Sequence, residues 1–72
     1  MYQVIAYWKR NCYTIFLETS NYDEAKSFFD KIEPAERLAG EGINTYELVE
    51  VKGNELIGIA IKQDTIISLD RI

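Results

Sequence analysis

The chain has 72 residues, 47% of them apolar and 28% charged, with 8 basic side chains against 12 acidic ones and no histidine. That length holds one domain, expected as a single compact unit over 1–72, and buries only about 60% of the surface its unfolded chain exposes. The net charge of −4 argues against non-specific nucleic-acid binding, which needs clustered Lys and Arg to neutralise phosphates.

A core of this size supplies roughly 3–5 kcal/mol without a staple. No staple is visible: Cys12 is the single cysteine, so no internal disulfide forms, and without His there is no zinc-ligand set. Oligomerisation is the remaining common source of stability. The opening MYQVIAYW lacks a basic n-region and does not read as a signal peptide. No apolar run approaches the roughly 20 residues that span a bilayer. An unpaired cysteine fits a reducing compartment, so a cytoplasmic protein without membrane contact is expected.

Residues 2–8 and 12–19 alternate β-branched and aromatic residues with others, the period of a strand. Lys9, Arg10 and Asn11 between them suit a three-residue hairpin loop, with Asn11 at the left-handed position. Turn formation alone accounts for that spelling; a basic binding tip is the competing reading. Next comes a helix. Asn21 is a capping residue and Glu24, three residues on, completes a capping box. Ala25, Phe28, Phe29 and Ile32 fall at i, i+3, i+4 and i+7, a single apolar stripe, and Pro34 stops the helix near Ile32. Phe28 and Phe29 read as core anchors, since helical stripes face a core.

A short helical turn is expected over 35–39, ended by Gly40. Gly40-Glu41-Gly42 lacks the spacing of a phosphate loop, and Glu41 would repel an anion. Strands follow at 43–52, 55–62 and 65–72, the first two joined by a Gly53-Asn54 hairpin turn with Gly53 at positive φ. The expected architecture is α+β: a mostly antiparallel sheet in the order ββαβββ, open or curled, with one helix packed on one face.

One helix covers one face. Strand alternation allots it Val4, Ala6, Tyr13, Ile15, Leu17, Val49, Val51, Ile57, Ile59, Ile61, Ile67 and Leu69. The other face should then be polar, yet it receives Ile5, Tyr7, Phe16, Tyr46, Leu48, Leu56 and Ile66, beside Gly58 and Ala60. A contiguous apolar patch commonly marks an interaction site. Three fates compete for it: burial by a curled sheet with 33–42 as a lid, a homodimer, or a foreign protein partner.

Catalytic signals are missing. Without His there is no imidazole base and no Ser-His or Cys-His pair. Cys12 reads as a structural thiol, and Glu47 and Glu50 fall on opposite faces of one strand. Glu55, Asp64 and Asp70 sit at turns or strand ends, where acids are normally solvated. No cofactor or metal is expected. Tyr7, Phe16 and Tyr46 on one sheet face would stack bases, with Lys9, Arg10, Lys52 and Lys62 as a weak basic rim. The RNA-recognition pattern this echoes needs two helices and a basic-aromatic motif, so a weak single-strand binder ranks low.

In size, acidity and Ile/Asn/Lys-rich spelling the chain resembles the small accessory proteins of bacteriophages and mobile elements. That resemblance implies a stoichiometric inhibitor of a host protein, a defence or replication enzyme among the targets. The reading is therefore a small non-enzymatic protein-binding module with a bacterial host protein as partner. A structural or assembly homo-oligomer is the alternative. The candidate contacts are Tyr7, Phe16, Tyr46, Leu48 and Leu56 on the sheet, Lys9 and Arg10 at the tip, and the acids Glu36, Glu41, Glu47 and Glu50, which would meet a basic partner in a salt-sensitive way.

Overall fold

Antiparallel pairing of the alternating segments builds most of the protein. The structure is a computed structural model that describes residues 1–9, 12–38 and 42–67. Its elements are β1 (Tyr2–Lys9), β2 (Cys12–Thr19), α1 (Tyr22–Asp30), β3 (Glu36–Leu38), β4 (Thr45–Lys52), β5 (Glu55–Gln63) and β6 (Thr65–Ile67). A four-stranded antiparallel sheet runs in the order β2-β1-β4-β5, and β3 pairs parallel with β6 in a second, two-stranded sheet. The fold is α+β, as the alternation and the single helical stripe imply.

Both hairpins form. Gly53 has φ +57°, and Lys52 pairs with Glu55 across the two-residue turn. In the first hairpin Lys9 pairs directly with Cys12, so two residues join the strands rather than three. Those two, Arg10 and Asn11, lie outside the described residues. The helix starts where the cap residues place it: the Asn21 side chain accepts from the Glu24 N–H at 3.1 Å. The return arm differs from a simple capping box. Asn21 N–H donates to the Thr19 hydroxyl, which donates to the Glu24 carboxylate.

Residues 36–38 are a strand, not the expected helical turn. Their neighbours bond across the fold rather than along the chain: Thr65 N–H donates to Ala35 O at 2.9 Å, and Ala35 N–H donates to Asp64. Residues 39–41, with the expected stop at Gly40, lie outside the described residues, as do 68–72, which include Leu69 and Asp70.

The helix packs Ala25 and Phe29 onto Val4 and Leu48, all buried, with Tyr2, Leu17, Ile32, Tyr46 and Ala60 around them. This core corrects half of the expected face assignment. Val4, Ala6 and Leu17 face the helix as anticipated, but so do Tyr46 and Leu48, which pair with Ala6 and Val4. Tyr13 and Ile15 pair with Tyr7 and Ile5 on the opposite face, and Val49 pairs with Gln3 there.

Bulges are one cause. β2 carries an extra residue at Phe16, between the Val4↔Leu17 and Ile5↔Ile15 pairs. β5 carries another at Ile59, between Leu48↔Ala60 and Val49↔Gly58. Each extra residue inverts the alternation along the rest of its strand. Ala60 therefore turns to the helix side, and Ile61, opposite Glu47, turns away from it. Phe16 meets Phe28 of the helix, ring centroids 6.5 Å apart. Phe28 itself is 38% exposed, so Phe29 is the helix's anchor.

Lys62 closes the helix from β5. Its ammonium donates to the backbone carbonyls of Phe29, Asp30 and Ile32 at 2.9, 3.2 and 3.0 Å, and lies 4.8 Å from the Phe29 ring centroid. Those carbonyls belong to the negative end of the helix dipole, where a cation is favourable. Lys62→Met keeps the stem and removes the charge; it is expected to cost about 1–2 kcal/mol, measured as a lower urea midpoint with an unchanged m-value.

Candidate functional site

The face turned away from the helix carries a groove. Gln3, Ile5 and Tyr7 come from β1, Tyr13 and Ile15 from β2, and Leu56 from β5; together they line about 390 Å³. β1 and β4 separate β2 from β5, so a groove shared by Leu56, Tyr13 and Ile15 means that the sheet coils. It stays open all the same: Tyr13 is 59% exposed and Leu56 57%. Ile5 and Val49, on the two central strands, are buried on this side. The apolar face is a trough with a closed floor and open walls.

Tyrosines and a carboxylate give it polar handles. The Tyr7 and Tyr13 rings lie 6.1 Å apart, tilted by 43°. Burial, and then the charge and hydrogen bond of Glu47, hold the Tyr7 hydroxyl protonated above its ordinary range. Glu47 lines a shallow pocket with Gly58, Ile59, Ala60 and Ile61. A Cβ at Gly58 would come within 3.1 Å of Glu47 Oε2, so glycine there leaves room for the carboxylate.

The structure assembles part of the expected site and dissolves the rest. Tyr7 and Leu56 share the groove, with Glu47 beside Tyr7. Leu48 does not belong to it: the side chain is fully buried beneath the helix. Tyr46 is half-buried on the helix side and donates its hydroxyl to Asp64 at 3.1 Å. Phe16 lies on the helix side against Phe28. The three-aromatic stacking platform of Tyr7, Phe16 and Tyr46 is therefore not formed, and Lys62 of its basic rim is engaged with the helix. Glu50 pairs with Tyr2 and so faces the helix side, opposite to Glu47, as the alternation implied. Glu36 is exposed on β3. Lys9 ends β1; its side chain, with Arg10 and Glu41, lies outside the described residues.

Asp64 is the residue whose role the sequence hid. Instead of a solvated turn acid it is a buried hub, its side chain 0% exposed. One carboxylate oxygen accepts from Ala35 N–H at 2.8 Å and Tyr46 Oη at 3.1 Å; the other accepts from Arg37 Nε and Asn44 N–H, both at 3.0 Å. Burial alone would push its pKa up. The four donors (Asn44 and Ala35 first, then Arg37 and Tyr46) outweigh it and hold the carboxyl below its ordinary value. This carboxylate ties β3, the approach to β4, and the β5–β6 corner together. It is enclosed by protein donors, which suits a structural clamp rather than proton transfer.

Among the described residues no group of three or more His, Cys, Asp or Glu is arranged to hold a metal ion, and no helix is long and apolar enough to cross a membrane. No family model, curated protein or solved structure matches the chain.

The groove residues missed in the sequence are Gln3, Tyr13 and Ile15. The bulge at Phe16 moves the last two to this face, and nothing in the spelling CYTIFLET marks it.

Proposed function

We propose that the chain is a small non-enzymatic binding module that takes a protein partner in the trough of its sheet. The observation that carries this reading is the exposed Tyr13–Ile15–Leu56 wall around the buried floor of Ile5. A side chain entering the trough meets Ile5, Ile15 and Leu56 together with Tyr7 and Tyr13, the mixture favoured at protein interfaces. The sharper form names a bacterial host protein as the target, blocked stoichiometrically; the likeness in general character to phage accessory proteins supports it.

Photo-crosslinking tests this directly. A benzophenone side chain at position 13 should trap one host protein, and the same probe at Glu33, exposed and away from the trough, should not. With the trapped protein purified, Tyr13→Ala combined with Ile15→Glu should weaken binding by about thirtyfold or more, the scale of a hot-spot residue. Equal trapping from position 33, or unchanged affinity of the double variant, would remove the trough as the binding surface. If the acids Glu36 and Glu47 contribute, affinity should also fall with added salt.

A further inference from the structure

Among the described residues β5 is open along one edge and partly open on both faces. It is an outer strand of the four-stranded sheet, so among the described residues one of its backbone edges has no strand partner. The helix lies along β1, β2 and β4 and meets β5 only through Ala60 and the Lys62 side chain. On the helix side Ile57 is 42% exposed; on the trough side Leu56 and Ile61 are 57% and 61% exposed. A partner docked on one face would leave the other face wet. A strand added in the plane of the sheet covers both, because cross-strand neighbours pack on each face. Long apolar outer strands of this kind are templates for such pairing.

The order of residues along β5 says which strand fits. We propose that the occupant is β5 of a second copy of this chain, antiparallel about a two-fold axis between Gly58 and Ile59. In that register Glu55 lies opposite Lys62 of the second copy, Leu56 opposite Ile61, and Ile57 opposite Ala60. Each pair occurs twice, as two-fold symmetry requires. The pairs also agree in face. Leu56 and Ile61 both turn to the trough, opposite Val51 and Glu47; Ile57 and Ala60 both turn to the helix side, opposite Glu50 and Leu48. That agreement exists because the bulge at Ile59 shifts the alternation by one residue midway. An unbulged strand would set Leu56 against a side chain on the wrong face. Apolar residues meet in the middle, while Lys62 at each end keeps its ammonium on the carbonyls of its own helix. The product is one continuous sheet of eight strands with one helix on each half.

Light scattering on a sizing column, across a hundredfold dilution, tests the pairing. The wild-type chain should move between monomer and dimer mass. Leu56→Glu and Ile61→Lys, both at exposed positions, should each weaken self-association by about tenfold or more. Mixed in equal amounts, the two variants should recover a heterodimer, since one Leu56–Ile61 pair is restored and the other becomes Glu–Lys. Circular dichroism of each variant alone should match wild type, which separates loss of pairing from loss of folding. A wild-type monomer at every concentration would overturn the proposal and make the Ile59 bulge a device that keeps this edge from pairing. A dimer that survives both substitutions would overturn it in favour of another surface. Tyr13→Ala with Ile15→Glu lies on β2, at the opposite edge, and should leave the dimer intact, so this test and that of the trough fail independently.

Discussion

Asp64→Ala is expected to remove most of the stability of the folded state at room temperature. The substitution removes the acceptor of two backbone N–H groups, Ala35 and Asn44, and of Arg37 and Tyr46. Removing one partner from a buried charged network costs about 3–5 kcal/mol, because the remaining groups stay buried and unpaired. In so thin a protein solvent is never far, so the lower end applies, about 3 kcal/mol. That still rivals the roughly 3–5 kcal/mol a core of this size supplies.

Asp64→Asn is not a mild replacement. All four partners of Asp64 are donors, so the NH2 of the introduced amide meets a donor in either flip; the Tyr46 hydroxyl can turn to accept, but a backbone N–H or Arg37 cannot. Arg37 itself is a smaller part of the network. Its side chain is 35% exposed, and water replaces much of what Arg37→Ala removes.

The same carboxylate sets an acid limit. Its folded pKa lies below its ordinary value, so the unfolded chain binds the proton more readily. The stabilisation is complete above the unfolded pKa, near 4, and is lost as pH falls through the lower folded value. Urea midpoints measured from pH 7 downward should hold and then fall below about pH 4. In Asp64→Asn, where the variant remains folded at all, that part of the fall should be missing. An alanine variant with a wild-type midpoint would show that the hub is not needed to hold β3 and β6 in place.

What the sequence revealed follows from how local each signal is. The helix was readable because cap, stripe and stop all lie within 21–34 and act on their own backbone. Gly53-Asn54 was readable for the same reason. Sheet faces are set by pairing over long separations, and one extra residue inverts them. Phe16 in β2 and Ile59 in β5 are such residues, flanked by apolar neighbours that look acceptable on either face. β4 adds an ambiguity of its own: Tyr46 and Leu48 on one side, Val49 and Val51 on the other, are equally apolar. Central strands bury both faces, and alternation cannot choose between them.

Asp64 was hidden for a different reason. Its four partners sit 18 to 29 residues away in the chain, so nothing beside it marks it as buried. The candidate site was therefore half legible. Tyr7 and Leu56 stood out as apolar residues left over from the core and Glu47 as an acid for a basic partner, whereas the wall that Tyr13 and Ile15 add depended on a bulge.

Leu48→Glu and Ile15→Glu should behave in opposite ways, and the contrast decides which face of the sheet is the core. Leu48 is fully buried against Val4, Ala25 and Phe29. Truncating such a leucine to alanine already costs about 2–5 kcal/mol, and a carboxylate adds an unpaired charge in the same place. Leu48→Glu should therefore give an unfolded chain, with flat thermal melts and collapsed amide dispersion. Ile15 is 44% exposed on the wall of the trough. There a glutamate keeps its carboxylate in water, and stability should change by no more than about 0.5 kcal/mol. Were the faces exchanged, as simple alternation suggests, Ile15→Glu would be the variant that unfolds and Leu48→Glu the one that stays folded. A Leu48→Glu protein with a wild-type melting curve would place the helix on the other face and return Tyr46 and Leu48 to the interface. An unfolded one means that loss of partner binding in that variant reports loss of structure, so the partner surface has to be mapped with Tyr13 and Ile15, which can change without disturbing the core.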